Sequence, residues 1–523
     1  MPKTLNRRQL TQGGLAWLAG APLFVRHALA ADQARFTLGV ASGQPRPDRL
    51  VLWTRLMGDG LPAEVPVAWQ LAFDEAFTQI AVQGSELARA DTAHSVHAEP
   101  AGLAPGRWYF YRFSALGQRS ATGRTRTAPA VDAPATLRAA LASCQRWEHG
   151  QYAAWRHVAS QPHDLVVFVG DYIYEYPTSP LSVRPHSLPF IRTLHDYRAR
   201  YALYKGDPAL QAAHAACPWL MVWDDHEVAN DYANDQSTVQ SGADFLARRA
   251  AAYQAYWEHQ PLPAAWRPRG ADMRLHERFG WGRLAQIHAL DGRQYRDHQA
   301  CPRLVPAMGA NTVDEADCPE LVDPARSFLG VAQERWLDQG WDLQRRWNLL
   351  AQPTLMTRLQ RQTEGSGRRS TPEGRSTRDG PGARYWTDGW DGYPAARQRL
   401  LSSASERGVA NLVALGGDVH TNYVADLKAN YDDPRAPVVG SDICGTSISS
   451  QGPAQARVDA LRRLNPHVHH GRSDQRGYVS LHLDDKRLLA ELMAVEQHDQ
   501  TDSAVQVQAR FVVAAGRPGP QPA

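Results

Sequence analysis

Three short apolar runs, each followed by acidic residues or histidine, constrain the fold of this chain more than any other feature. The first run, Leu165–Val169, is rich in β-branched residues and leads directly into Gly170 and Asp171. It is too short for an ordinary helix, so it predicts a strand that is buried on both faces, as in a parallel sheet. The same design recurs in Trp219–Trp223, followed by Asp224, Asp225 and His226, and in Leu412–Leu415, followed by Gly416, Gly417, Asp418 and His420.

The acidic residues after these runs predict a ligand site. Open α/β sheets bind their ligands beyond the carboxyl ends of the strands. A carboxylate that is buried there needs a hydrogen-bond network or a cation, because burying it without a partner costs too much free energy. We therefore expect the three strand ends to meet at one edge of a sheet and to form a metal site.

Length and charge narrow the classes of function. The chain has 523 residues, which makes more than one domain expected, and its composition is ordinary for a globular protein. Its formal net charge of +3 gives no indication of a nucleic-acid partner. We therefore predict no specific nucleic-acid binding.

Residues 1–30 are typical of an export signal. Asn6–Leu10 contains a pair of arginines, Gly13–Val25 is modestly apolar, and Ala28–Ala30 fits a small-x-small cleavage site. This pattern predicts a twin-arginine signal peptide, which the twin-arginine export machinery recognises. An uncleaved membrane anchor is the alternative, although the apolar run is short for a span. No later run is long enough to cross a bilayer, so we expect a periplasmic or secreted protein without stable membrane insertion.

The N-terminal part of the chain predicts an all-β domain at residues 31–130. From Arg35 to about Pro129, short alternating segments separated by turns indicate an antiparallel β-sandwich. Gly102–Tyr109 resembles the corner of fibronectin type III domains, in which a Tyr after Leu-x-Pro bonds back to the backbone. The region contains no cluster of titratable groups, so we interpret it as a packing module. Its predicted strands are Phe36–Val40, Leu50–Thr54, Val65–Phe73 and Trp108–Phe113.

An α/β domain is predicted at residues 136–500, after a linker near Ala130–Ala135. Strand-like runs alternate there with helical ones, which indicates a mixed sheet flanked by helices. A C-terminal strand and a Pro/Gly tail follow at residues 501–523. The predicted helices are Asp196–Ala216, Ala243–Glu258 and Ala332–Trp347, and the further buried strands are Thr136–Ala142, Leu284–Leu290 and Trp347–Gln352.

The chain has five cysteines, so at least one of them stays unpaired even if the others form disulfides after export. Cys301 and Cys318 bracket a loop that contains Pro and Gly, and they are the best candidates for a disulfide. Cys217 and Cys444 could form a second bridge, which the sequence does not establish. Cys144 directly follows a predicted strand, where an unpaired thiolate is either a metal ligand or a buried inert group.

Six segments of the chain point to one family of proteins. They are SCQ (Ser143–Gln145), GDYIYEY (Gly170–Tyr176), WDDHEVANDY (Trp223–Tyr232), LDGRQYRD (Leu290–Asp297), WDGYPAAR (Trp390–Arg397) and LGGDVHTNYVAD (Leu415–Asp426). Together they strongly resemble the alkaline phosphatase D (PhoD) family of exported calcineurin-like metallophosphatases. Leu38–Leu56 also resembles the start of that family's N-terminal domain. The resemblance runs from about Phe36 to Leu492 and implies a mixed-sheet metallophosphatase core preceded by a fibronectin/Ig-like sandwich.

The resemblance implies an Fe³⁺ ion paired with Ca²⁺. Asp171 would bridge the two ions, with the other ligands on one ion or the other. Thiolate, phenolate and imidazole suit a transition metal, whereas carboxylates suit calcium, so the donor types agree with two unlike ions. The implied ligands are Cys144, Tyr174 and His420 on the iron, and Asp225 and Asp418 on or near the calcium.

The resemblance also implies roles in catalysis for residues of the WDDHEVANDY segment. His226 would contact the phosphate or protonate the leaving oxygen, Asp225 would face the calcium, and Asn230 would be a ligand or a phosphate contact. We expect Asp224 to form a salt bridge rather than to bind a metal. Taken singly, these residue types have simpler explanations, such as a helix cap for Asp171 or a packing aromatic for Tyr174.

The implied activity is that of a secreted alkaline phosphatase and phosphodiesterase, which hydrolyses phosphate esters through a metal-activated water. A phospholipase D-like or cell-wall-polymer phosphodiesterase on the same site is the alternative, and a non-catalytic surface binding protein is a remote one. The Gly-, Ser- and Arg-rich segment Arg358–Ala383 predicts either a substrate-facing lid or a solvated loop.

Overall fold

The computed structural model describes residues 34–303, 309–361 and 383–523. The predicted export signal at 1–30 lies outside the described residues, and so does most of the predicted lid segment. Within the described ranges, no helix is long and apolar enough to span a bilayer.

The N-terminal region is all-β, as predicted. The strands are β1 (Val40–Gly43), β2 (Val51–Arg55), β3 (Glu64–Ala72), β4 (Ile80–Arg89), β5 (Ser95–Ala98), β6 (Trp108–Ala115), β7 (Gln118–Arg119) and β8 (Gly123–Arg126). They form two layers: the first is β1-β2-β5, and the second is β4-β3-β6-β7 with β8 paired to β6. The apolar core lies between the layers, since Val40 and Leu52 of the first pack in the same cluster as Val67 and Tyr111 of the second.

The predicted corner of the sandwich is present. The backbone N–H of Ala104 donates to the hydroxyl of Tyr109 at 2.9 Å. The first predicted strand is displaced, because pairing begins at Val40 rather than at Phe36. Gly43 of β1 pairs in parallel with Trp219, which joins the sandwich to the sheet of the α/β region. A Cβ at Gly43 would lie 2.6 Å from the carbonyl oxygen of Pro261, so this close approach requires glycine.

Most of the remaining strands form two large mixed sheets. The first seven strands after the sandwich are β9 (Leu137–Ala142), β10 (Leu165–Val169), β11 (Trp219–Val222), β12 (Glu277–Trp281), β13 (Ala285–Ala289), β14 (Thr312–Asp314) and β15 (Trp347–Ala351). The others are β16 (Arg384–Trp386), β17 (Leu412–Gly416), β18 (Asn422–Lys428), β19 (Val438–Cys444), β20 (Val468–Arg472), β21 (Gly477–Leu483), β22 (Arg487–Val495), β23 (Val505–Ala514) and β24 (Gln521–Pro522). The first sheet has the order β24-β23-β22-β21-β9-β10-β11-β1-β2-β5, and the second has the order β12-β13-β15-β17-β19-β18-β20. β14 and β16 form a separate two-stranded sheet.

The three apolar runs do not belong to one sheet, and this prediction was wrong. Leu165–Val169 and Trp219–Val222 are neighbouring parallel strands of the first sheet, whereas Leu412–Gly416 lies in the second. Side chains of both sheets, among them Phe168 and Val413, pack in one apolar core. An unbroken apolar run is expected in any strand whose two faces are both covered by other parts of the protein. Such runs therefore do not show whether the strands share one sheet or lie in two stacked sheets.

Two of the predicted helices are shorter than expected. The segment Asp196–Ala216 forms α2 and α3, which are separated at Asp207, and the segment from Ala332 ends at Gln339 before β15 begins. The Pro/Gly tail also differs, because Gln521–Pro522 pairs with β23 and forms the edge strand of the first sheet. The helices are α1 (Ala153–Ser160), α2 (Leu194–Lys205), α3 (Pro208–Ala216), α4 (Gly242–His259), α5 (Val331–Gln339), α6 (Pro394–Glu406) and α7 (Gln455–Leu464).

The cysteines fall into one pair and three free thiols. Cys301 and Cys318 form a disulfide, as predicted. The second bridge between Cys217 and Cys444 is not formed, and both thiols are buried separately. Cys144 is also buried and unpaired.

Candidate metal centre

Loops that follow four buried strands deliver the predicted metal ligands. Cys144 follows β9, Asp171 follows β10, Asp225 follows β11, and Asp418 and His420 follow β17. Four of these five residues adopt left-handed backbone conformations, with φ of 58° at Cys144, 60° at Asp171, 65° at Asp418 and 51° at His420. Such conformations cost of order 1 kcal/mol each and cluster where a site imposes them.

Cys144, Asp171 and His420 form the first donor group. One ligand atom from each lies within 4.8 Å of the others. The hydroxyl of Tyr174 joins them, since it donates to Asp171 Oδ2 at 2.8 Å and lies 3.1 Å from His420 Nε2. His420 Nδ1 lies 2.7 Å from the carbonyl oxygen of Gln451, which leaves Nε2 as the nitrogen for a metal.

Asp171, Asp225 and His226 form the second donor group, again within 4.8 Å of one another. Glu175 orients this group, because its Oε2 lies 2.6 Å from His226 Nδ1. Its Oε1 accepts a hydrogen bond of 2.7 Å from the backbone N–H of Asn230. The contact with Glu175 occupies Nδ1 of His226 and leaves Nε2 as the ring nitrogen for a ligand.

The chemistry of the donor set fits metal ions. Asp171 is common to both groups, and its Oδ1 is buried without a hydrogen-bond partner among the residues that the structure describes. Burial raises the pKa of Asp171, and burial together with the charge of Asp171 raises the pKa of the Cys144 thiol. Cations would stabilise the charged forms of both side chains and would pair with the free oxygen. The residues present therefore fit a thiolate- and phenolate-containing site beside a carboxylate site.

Asp418 lies outside these two groups. Its Oδ2 accepts a hydrogen bond from the hydroxyl of Thr354 at 2.6 Å. Burial raises the pKa of Asp418 well above its ordinary value, with the charge of Asp224 acting in the same direction. Asp418 and His420 both line a cavity of about 280 Å³, so they face the approach to the site.

A buried arginine balances the acidic residues behind the second donor group. Arg293 lies 2.5 Å from Asp224, 2.9 Å from Asp388 and 3.7 Å from Asp225. Asp224 is thus a salt-bridge partner, as predicted. Burial raises the pKa of Asp225, but Arg293 and His226 more than offset this effect and hold it below its ordinary value.

A third acidic group consists of Asp225, Asp231 and Asp388, whose oxygens also lie within 4.8 Å of one another. Arg293 and Arg296 contact Asp388 at 2.9 and 2.5 Å. Arg293 also pairs with Asp224, so the two arginines offset only part of the negative charge of this group.

Three residues that help to build the site had no role in the sequence-based hypothesis. Glu175 and Arg293 lie inside the family-like segments GDYIYEY and LDGRQYRD, which was the available signal. Ser450 lies in none of those segments, yet its hydroxyl donates to the Tyr174 oxygen at 2.8 Å. Asn230 is placed at the site by its backbone, and its proposed role as a ligand or phosphate contact stays a prediction.

Comparisons with known proteins identify the family of this chain. A family model described as PhoD-like phosphatase matches residues 139–492, and the model for its N-terminal domain matches residues 23–129. Alkaline phosphatase D of Bacillus subtilis (strain 168) is 40% identical over 494 residues, which cover 91% of this chain and 80% of that protein.

Solved structures show the same relationship. The structure of PhoD matches with a TM-score of 0.85 and 38% identity, covering 96% of this chain and 93% of that one. Purple acid phosphatase PPD1 from yellow lupin (Lupinus luteus) seeds has a TM-score of 0.52 at 11% identity, covering 91% and 74% of the two chains, and shares the fold. The predicted fold class is confirmed, and metal ions are implied by the homology. This chain therefore belongs to the PhoD-like phosphatase family and is a phosphoric-ester hydrolase of the alkaline phosphatase D type.

Proposed function

We propose that the protein is an exported phosphatase and phosphodiesterase with an Fe³⁺ and Ca²⁺ centre. Export would follow the twin-arginine pathway to the periplasm or the medium, because Arg7 and Arg8 precede an apolar run and a small-x-small site. Twin-arginine export carries proteins that fold before they cross, which agrees with a metal centre that is assembled first.

One observation gives the main support for the proposed two-metal centre. Asp171 belongs to two adjoining donor groups of different chemistry, one with Cys144, Tyr174 and His420, and the other with Asp225 and His226. The first set offers the sulfur, phenolate and imidazole donors that suit ferric iron, and the second offers the oxygens that suit calcium. Asp418 would add a further carboxylate on the calcium side.

The bound ions would polarise the phosphoryl oxygens and acidify the water that attacks phosphorus. The protein's own contribution is to hold the donors and to supply a proton. His226 would donate from Nε2 to the leaving oxygen, since Glu175 holds Nδ1. Asp225 would orient the calcium side of the site, and Asn230 would contact the phosphate.

The test compares three substrates at defined metal loading. We expect the purified, metal-loaded protein to hydrolyse p-nitrophenyl phosphate and its bis-ester, and to act poorly on phosphatidylcholine. A preference for the lipid would instead support a phospholipase D-like enzyme, and activity confined to the monoester would overturn the phosphodiesterase proposal.

A variant tests the role of His226. His226→Gln should lower kcat by at least about 100-fold, the lower end of what a proton donor contributes. The loss should be smaller on p-nitrophenyl phosphate than on a phenyl phosphate, because the better leaving group needs less protonation. His298→Gln is the matched control, since this exposed histidine contacts Asp235 away from the donor groups. Equal losses on both substrates would contradict the proton-donor role.

A further inference from the structure

A cavity of about 280 Å³ adjoins the metal centre. Asp418 and His420 line it together with Arg361 and Arg457, so it is continuous with the predicted metal ligands. Its volume is slightly below the range of drug-sized pockets, which suits one small substituent of a substrate.

Two cations, Arg361 and Arg457, line this cavity. In the described part of the chain, neither Arg361 nor Arg457 forms an ion pair, although Arg358 and Arg397 nearby are paired with acidic residues. The Nε of Arg361 is buried and has no hydrogen-bond partner among the described residues. Burial and the charge of Arg457 lower the pKa of Arg361, whereas the charge of Asp391 raises it. Two adjacent cations of this kind favour an anion between them.

The other walls of the cavity are apolar or aromatic. They include Leu359, Leu461, Trp386 and Tyr423. The guanidinium carbon of Arg361 lies 5.8 Å from the ring centroid of Trp386, so the indole limits where this side chain can point. The cavity thus combines predicted metal ligands, apolar and aromatic side chains, and two arginines in one lining.

We infer that this cavity binds the alcohol part of the substrate and that Arg361 and Arg457 bind a second anionic group on that alcohol. The preferred substrates are then phosphate esters of small alcohols that carry another phosphoryl group. This inference rests on the proposed phosphatase function and names its substrate class. Arg361 contributes more than Arg457, because the exposed guanidinium of Arg457 is better solvated.

The test uses two probes with the same carbon chain, 1-propyl phosphate and 1,3-propanediol bisphosphate. The metal-loaded wild-type protein should show a kcat/KM at least about tenfold higher for the bisphosphate, as one charge-assisted contact allows. Arg361→Gln should remove most of that preference, and Arg457→Gln should reduce it by a smaller factor. Raising the ionic strength should weaken the preference in the wild-type protein.

Arg463→Gln is the matched control, because this exposed arginine lies on the same helix, α7, and does not line the cavity. The Arg463→Gln variant should prefer the bisphosphate over 1-propyl phosphate by the same factor as the wild-type protein. The inferred subsite is overturned if both probes are hydrolysed and the ratio of their kcat/KM values is the same in Arg361→Gln as in the wild-type protein. That outcome would not contradict the phosphatase function. Failure to hydrolyse either probe would overturn the proposed function and the subsite together. A folded Arg361→Gln variant is confirmed by an unchanged melting temperature and metal content.

Discussion

At the scale of single residues, Asp171 determines the electrostatics of the centre. It is buried, its Oδ2 accepts the Tyr174 hydroxyl, and its Oδ1 lacks a partner among the described residues. A buried carboxylate with one free oxygen is costly unless a cation pairs with it. The unpaired oxygen is thus a suitable ligand atom for a cation.

Asp171→Asn should remove both metal ions. The amide keeps the size of the side chain but removes the charge that both donor groups share. Residues that only hydrogen-bond to a metal ligand already contribute about 10–100-fold to metal affinity or activity, so loss of a shared ligand should have a larger effect. We therefore expect both metals to fall well below one per chain and activity to fall by more than about 100-fold. Elemental analysis and p-nitrophenyl phosphate turnover measure the two effects. Asp485→Asn, an exposed control, should change neither, and full metal content in Asp171→Asn would refute a shared ligand.

We expect the iron-loaded wild-type protein to be coloured, and Tyr174→Phe should abolish this colour. A phenolate bound to ferric iron absorbs visible light by charge transfer, and Tyr174 is the tyrosine whose hydroxyl contacts Asp171 and His420. Visible absorption and iron content of the purified protein provide the measurement. Tyr172→Phe is the matched control, since the Tyr172 hydroxyl lies 2.8 Å from His214 instead and its loss should leave the spectrum unchanged. A colourless wild-type protein with full iron content would exclude Tyr174 as a ligand.

At the scale of secondary-structure elements, the break between α2 and α3 shows how capping overrides helical pattern. Asp207 precedes Pro208, and its carboxylate accepts hydrogen bonds from the backbone N–H groups of Ala209 and Leu210. Proline is favoured in the first turn of a helix and disfavoured in its interior, so α3 starts anew at this point. Arg184 also contacts the Asp207 carboxylate at 2.6 Å.

Asp207→Ala should destabilise the fold without a direct effect on the metal centre. Loss of the cap costs about 1 kcal/mol, and loss of the partly buried Arg184 contact adds to it. Chemical denaturation should show the lower free energy of unfolding, while metal content stays the same. Asp207→Asn keeps a capping acceptor and should recover part of the loss. Equal stabilities of the alanine and asparagine variants would show that the cap contributes nothing.

At the scale of the whole molecule, the centre joins two sheets. Cys144 and Asp171 extend from strands of the first sheet, and Asp418 and His420 extend from β17 of the second. Ions held between these loops would bind the folded protein and not the unfolded chain, so metal loading should stabilise the packing of one sheet against the other.

Removal of calcium should therefore lower both activity and thermal stability. At a calcium concentration 100 times its dissociation constant, the binding stabilises the folded state by about 2.7 kcal/mol. EGTA should abolish hydrolysis of p-nitrophenyl phosphate and lower the melting temperature measured by calorimetry, and added calcium should restore both. EGTA that is already saturated with calcium is the control. Activity that survives free EGTA would remove calcium from the proposed centre.

Much of the fold and of the donor set could be predicted from the sequence, because those features depend on local patterns. Leu165–Val169 is a buried strand as predicted, and the alternation before Pro129 forms an all-β region. Cys144, Asp171, Tyr174 and His420 were named because they follow strands or match a family-like segment, and the structure brings them together.

The partners that these residues contact depend on how the two sheets pack together. Tyr174 and His420 are 246 residues apart, and their contact exists because two sheets pack on one core. The same packing brings Ser450 to Tyr174 and Arg293 to Asp224, although neither pair has a signal in local periodicity. Strand propensity and residue type are properties of short segments, so the chemistry of the donors could be predicted from local sequence. The register and stacking of the sheets depend on contacts across the whole chain, so the geometry of the donors follows from the folded structure.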